Sequence, residues 1–263
     1  MQLELANAGL DASRRTRLRI LIGLSVVAIA GVMLHAPIAQ PLDYHAFVDQ
    51  RSIWGIPNCW NVVSNVPFLI FGLMGVAEIA GRRALPLKGV YLTFFAGTCL
   101  VAVGSGYYHL APSNDTLVWD RLPMAIVFMA FFSVILAEHV NARVGRLALV
   151  PLEVLGVGSV VYWYFTEVAG HGDLRPYILT QFLPIILIPL ILLFFPARLW
   201  PARLIWAVLG TYVLAKVLEL ADAQVFALGH AISGHSLKHV AAALGAYLFL
   251  LAVKRRYVTV AQG

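Results

Sequence analysis

G-S-G-Y-Y-H-L-A-P-S-N-D-T-L-V-W-D-R-L-P-M, residues 104–124, runs from the end of one long apolar stretch into the start of the next. It carries Ser105, His109 and Asp120, a hydroxyl, an imidazole and a carboxylate. Ionisable groups at a membrane edge are costly and call for a partner or a task. A second polar cluster, His235-Ser-Leu-Lys-His239, stands at the start of the last apolar run. The two clusters are expected to meet around one zinc ion.

Working outward, the chain is 60% hydrophobic and 12% charged over 263 residues, with mean hydropathy +0.82. Soluble domains carry about 25% charged residues. Apolar runs cover about 18–38, 60–80, 87–110, 117–139, 145–167, 175–196, 201–226 and 235–254. Each is near or above the roughly 20 residues a helix needs to cross the hydrocarbon core. The runs are continuous, not alternating, so barrel strands are excluded. The expected fold class is an all-α polytopic membrane protein with seven core transmembrane helices and one extra at the N-terminus. The run at 18–38 reads as a retained anchor helix, despite the arginines before it that resemble an export signal. The prolines at 67, 123, 184 and 189 read as kinks.

The net charge of +6 invites a nucleic-acid partner, but the basic residues follow topology. Fourteen of the 19 Lys and Arg, among them Arg14, Arg83, Arg143, Arg198 and Arg255, fall at the two termini and in alternate loops. The opposite side has Arg51 and Arg175, and Arg121, Lys216 and Lys238 lie within runs. This split orients both termini to the cytoplasm and places His109, Asp120, His235 and His239 in one layer towards the outer leaflet. No nucleic-acid surface is implied. Cys59 and Cys99 form no metal or disulfide pattern and read as packing residues.

Spacing supports a shared site. Ser105 and His109 are four apart, as are His235 and His239, so each pair shares a helix face. Two histidines at that spacing with a third from elsewhere form a three-histidine zinc set, the pattern that leaves a position open for water. Blander readings stand beside this one. Axial haem ligation uses the same residues. Ser105 between Gly104 and Gly106 also suits close helix packing. Asp120 beside Arg121 also reads as an ion pair. Lys216, Glu219 and Asp222 sit at spacings that allow mutual pairing. Glu153 and His230 carry no assignment, and His35, His45, His139 and His171 need none. Trp119, Tyr107, Tyr108, Trp163 and Tyr164 read as an aromatic belt.

At these residues the sequence resembles the alkaline ceramidase family in its bacterial branch. That family belongs to a wider group of seven-helix membrane hydrolases with the adiponectin-receptor-like proteins. The likeness is carried by N-V-V-S-N-V-P-F at 61–68, the stretch at 104–124, D-L-R-P-Y-I-L-T-Q-F at 173–182 and S-G-H-S-L-K-H at 233–239. It implies a tail and anchor helix at 1–38, a hydrolase domain at 39–256 and a tail at 257–263. It also implies zinc held by His109, His235 and His239. Asp120 would hold and deprotonate the zinc water, and Ser105 would face the reacting carbonyl. The substrate would be ceramide or a related N-acyl lipid. Eukaryotic members carry an acidic calcium-binding segment before the first core helix. Here 43–61 has only Asp43 and Asp49 as carboxylates, too few oxygens for a calcium site to be expected. A receptor that keeps a metal for stability, or a haem or transport protein, remains the alternative to an enzyme.

Overall fold

The computed structural model describes residues 2–82, 85–196 and 201–261. The basic residues Arg83 and Arg198 lie outside the described residues, as does the end of the 257–263 tail. Ten α-helices follow in order: α1 (Gln2–Leu34), α2 (Cys59–Val63), α3 (Val66–Ala80), α4 (Lys88–Leu110), α5 (Asn114–Ile135), α6 (Ala142–Val168), α7 (Arg175–Phe194), α8 (Ala202–Leu220), α9 (Asp222–Ala227) and α10 (Gly234–Ala261). Among the described residues there is no strand, only an isolated bridge between Ile53 and Ile56. Among the described residues seven segments are long and apolar enough to cross a membrane: α1, α2 with α3, α4, α5 with the π turn Leu136–Val140 that extends it, α6, α7 and α10. Helix α8, of 19 residues, carries Arg203, Lys216 and Glu219 and packs along α10. The protein is an all-helical, multi-pass membrane protein, because lipid leaves the backbone no other way to satisfy its polar groups.

Two of the runs that read as single helices are broken. The run at 60–80 divides at Ser64 and Asn65, where the chain turns between α2 and α3. Pro67 explains the break, since it has no N–H to continue the ladder and sits in the first turn of α3. The run at 201–226 divides at Ala221, after which α9 stands as a short separate helix.

Helix starts have local causes. Ser113 caps α5 in a reciprocal capping box with Thr116. Asn141 caps α6 by accepting from the N–H groups of Arg143 and Val144. The Ser233 hydroxyl accepts from the Ser236 N–H, 3.2 Å away, at the start of α10. Two glycines set the helix approaches that matter most. A Cβ on Gly104 would lie 1.9 Å from the Trp119 carbonyl oxygen, so α4 and α5 touch backbone to backbone there. A Cβ on Gly234 would lie 2.2 Å from the Leu218 carbonyl oxygen, so the start of α10 is pressed against α8.

The apolar interior has two parts. Tyr91, Phe94, Phe95, Phe131, Ile188 and Phe249 belong to a large cluster, with the Phe94 and Phe249 rings 4.5 Å apart. A smaller cluster at the other end holds Phe47, Tyr108, Leu117, Trp163, Leu174 and Tyr177. The expected aromatic belt is thus divided. Trp119 and Tyr107 are exposed, whereas Trp163 and Tyr108 are fully buried, because each meets a polar partner inside the bundle.

Candidate metal centre

His109 stands in the last turn of α4, and His235 and His239 in the first two turns of α10. Each offers one ring nitrogen within 4.8 Å of those of the other two, and all three residues are buried. The three ring centroids form a triangle with 5.0 Å sides. Nδ1 of His109 and Nε2 of His235 are buried without a hydrogen-bond partner. A buried polar atom left alone costs about 1–3 kcal/mol, and two orphaned imidazole nitrogens beside a third are what a bound cation would satisfy. The donor set, three neutral imidazoles, suits a zinc-like ion.

The supports of these rings come from segments far away in sequence. Nδ1 of His239 is 2.8 Å from the Ser64 hydroxyl in the α2–α3 break. The Ser236 hydroxyl donates to Asn61 Oδ1 at 2.7 Å. Asn65 reaches back to the Asn61 carbonyl at 2.8 Å. The stretch 61–65 therefore grips α10 between and at its two histidines. Asp222 accepts the backbone N–H of His235 at 2.7 Å. Asn58, in the left-handed conformation, donates to the His109 carbonyl at 2.9 Å. The Phe47 ring covers the group, 4.7 Å from the His109 ring and 4.5 Å from that of His235.

Asp120 lies two turns into α5, and its side chain lines the same cavity as Ser105 on α4. The backbone contact at Gly104 brings α4 and α5 together beside both residues. Ser105, Asp120, Lys238 and His239 all line one cavity of about 390 Å³, which runs on past Phe94, Phe128 and Phe131. Its size and apolar walls are those of a small-molecule site. All five residues singled out in the sequence thus converge at one end of the bundle.

Other expectations are revised. Asp120 and Arg121 make no ion pair with each other. The Arg121 guanidinium turns away, donating to Gln40 Oε1 at 2.6 Å and lying over the Trp163 ring at 4.2 Å. Lys216 pairs with Glu219, and Lys238 on α10 takes the other Glu219 oxygen at 2.7 Å. Asp222 stands outside that group, serving His235. His45 bridges Tyr108 and Asn114, at 2.9 Å to each. In the segment before α2, the Arg51 guanidinium hydrogen-bonds both oxygens of Asp49, at 2.7 Å each. It also donates to the carbonyls of His230 and Ala231, at 2.8 Å each, and lies over the Phe226 ring. Its hydrogen bonds hold the Asp49 carboxyl below the usual carboxylate range.

Fold and site together define a helical membrane protein with a buried three-histidine, metal-capable centre opening on an apolar cavity. The family model described as Ceramidase matches residues 53–194. The chain belongs to the ceramidase family, hydrolases of a lipid amide bond. The matched span includes Ser105, His109 and Asp120 and stops short of His235 and His239, which the fold brings to the same place. No curated protein matches the chain.

Proposed function

We propose that the protein is a zinc-dependent intramembrane amide hydrolase that cleaves ceramide or a related N-acyl lipid into an amine and a fatty acid. The observation that supports this reading is the convergence of His109, His235 and His239 where Ser105 and Asp120 face the same cavity as His239. His109, His235 and His239 hold the metal. When bound there, zinc supplies Lewis acidity, polarising a carbonyl and making a water acidic near neutral pH.

The chain's own residues do the rest. Asp120 takes a proton from the attacking water and passes it to the amide nitrogen as the C–N bond breaks. The Ser105 hydroxyl, on the same cavity wall as Asp120, donates to the carbonyl oxygen as negative charge develops there. The apolar walls hold the acyl chain and keep bulk water from the reacting carbon. The basic residues at the termini and alternate loops favour cytoplasmic termini and a site near the outer leaflet. Residues 39–256 form the hydrolase unit, with the first span as an added helix.

The test is metal analysis together with lipid-amide hydrolysis for wild type, His109→Ala and Asp120→Asn. The histidine variant loses zinc. The aspartate variant keeps zinc and loses turnover, by about 10²-fold or more. Equal turnover in all three would refute the hydrolase reading.

A further inference from the structure

Arg121 is a buried cation that the chemistry above does not use. It is 6% exposed and lines the cavity beside Asp120. Its guanidinium lies 4.2 Å from the Trp163 ring centroid, 4.8 Å from that of Tyr177 and 5.6 Å from that of Tyr44. Its Nη2 donates to Gln40, and its Nη1 has no hydrogen-bond partner. Gln40 is itself held, because its backbone N–H donates to Glu167, which also accepts from Trp163. Glu167 makes no ion pair with Arg121.

The charges around the cavity leave this cation without an ion pair. Arg121, Lys216 and Lys238 face Asp120 and Glu219 across it. Glu219 is taken by the two lysines, and Asp120, though near, makes no ion pair with Arg121. Aromatic faces ease the burial of a guanidinium, but a buried charge without a directly paired counter-charge remains costly. A guanidinium fork is also the side chain best matched to a planar, two-oxygen anion. We propose that Arg121, Gln40 and the ring of Tyr177 form a carboxylate-binding subsite of the cavity, with the buried Trp163 ring backing the guanidinium. Its ligand is a lipid acid with the acyl chain in the apolar part. The acid group has two sources, an acidic head on the amine side of an N-acyl lipid or the fatty acid that hydrolysis releases. The second source, and the term substrate for the first, rest on the hydrolase reading. The subsite itself does not.

The experiment measures ligand binding to the full-length chain in detergent, carrying Asp120→Asn so that amides survive. One pair of probes is N-oleoylglycine and N-oleoylethanolamine, and the other is oleate and oleyl alcohol. With Arg121 present, the acid member of at least one pair binds about ten-fold tighter or more. Arg121→Gln removes that preference, and Arg121→Lys, which keeps the charge but not the fork, retains only part of it. A preference in the glycine pair assigns the subsite to an acidic substrate head, and one confined to the oleate pair assigns it to the product. No preference in either pair overturns the subsite, and so does a preference that survives Arg121→Gln in a folded chain. Failure of the Asp120-bearing, zinc-loaded chain to cleave any lipid amide would count against the hydrolase reading and leave this binding result standing.

Discussion

The Ser64 hydroxyl lies 2.8 Å from Nδ1 of His239, joining the break between α2 and α3 to the second histidine of α10. A hydrogen bond on one ring nitrogen fixes the tautomer and turns the other towards a metal. Ser64→Ala removes that partner, and Asn65, at 3.5 Å from the same nitrogen, is a poor substitute. If the proposed zinc centre forms, its affinity should fall about 10–100-fold, read by chelator competition on purified protein. Unchanged affinity would mean that packing alone orients the ring.

Gly104 and Gly106 provide a matched pair. A Cβ at Gly104 meets the Trp119 carbonyl oxygen at 1.9 Å, whereas one at Gly106 meets nothing within 4 Å. Gly104→Ala should therefore push α4 from α5, cost about 1–3 kcal/mol and part Ser105 from Asp120. Gly106→Ala should leave thermal stability and hydrolysis near wild type. Similar unfolding temperatures for the two variants would show that the helices slide apart without loss.

Phe47 is 5% exposed and rests on the rings of His109 and His235. Phe47→Ala opens that cover while keeping every ligand. For the proposed zinc centre, the expected result is wild-type metal content with faster release to a chelator. Release at the wild-type rate would remove the ring from any part in retaining metal.

The Asp49–Arg51 tie responds to pH. Asp49 is held below the usual carboxylate range by its hydrogen bonds to Arg51, so its contribution to stability is fully present above the unfolded carboxylate pKa of about 3.9. It is lost as pH falls through the lower folded value. Asp49→Asn should therefore lower the unfolding temperature equally at pH 8 and pH 6, and the gap to wild type should close in acid. A gap that widened below pH 4 would contradict the pairing.

Much of this was legible in the residues. The spans could be placed because a helix in hydrocarbon must run about 20 apolar residues, and the i, i+4 pairs at 105/109 and 235/239 declare their faces. The break at Ser64 was not, because Ser64 and Asn65 are small polar residues in an otherwise apolar run and only Pro67 marks the turn. Their role at His239 could not be seen either. The motif at 61–68 was visible as a likeness, but nothing local says that it meets a ring some 175 positions on. Trp163 and Tyr108 read as interfacial aromatics and are core residues, because Arg121 and His45 draw them inward.

By itself the sequence determined a membrane-spanning helical chain, the number and places of its apolar runs, and two polar pairs at one level. Both follow from short-range rules, the length of apolar chain that lipid requires and the periodicity of a helix. The tertiary structure alone decided that three imidazoles close on one point, that Glu219 serves two lysines, and that Arg121 leaves Asp120 for an aromatic cage. Those outcomes depend on how each helix is rotated and how closely it approaches its neighbours. Contacts such as Gly104 on Trp119 and Gly234 on Leu218 set these, between residues that no local pattern connects.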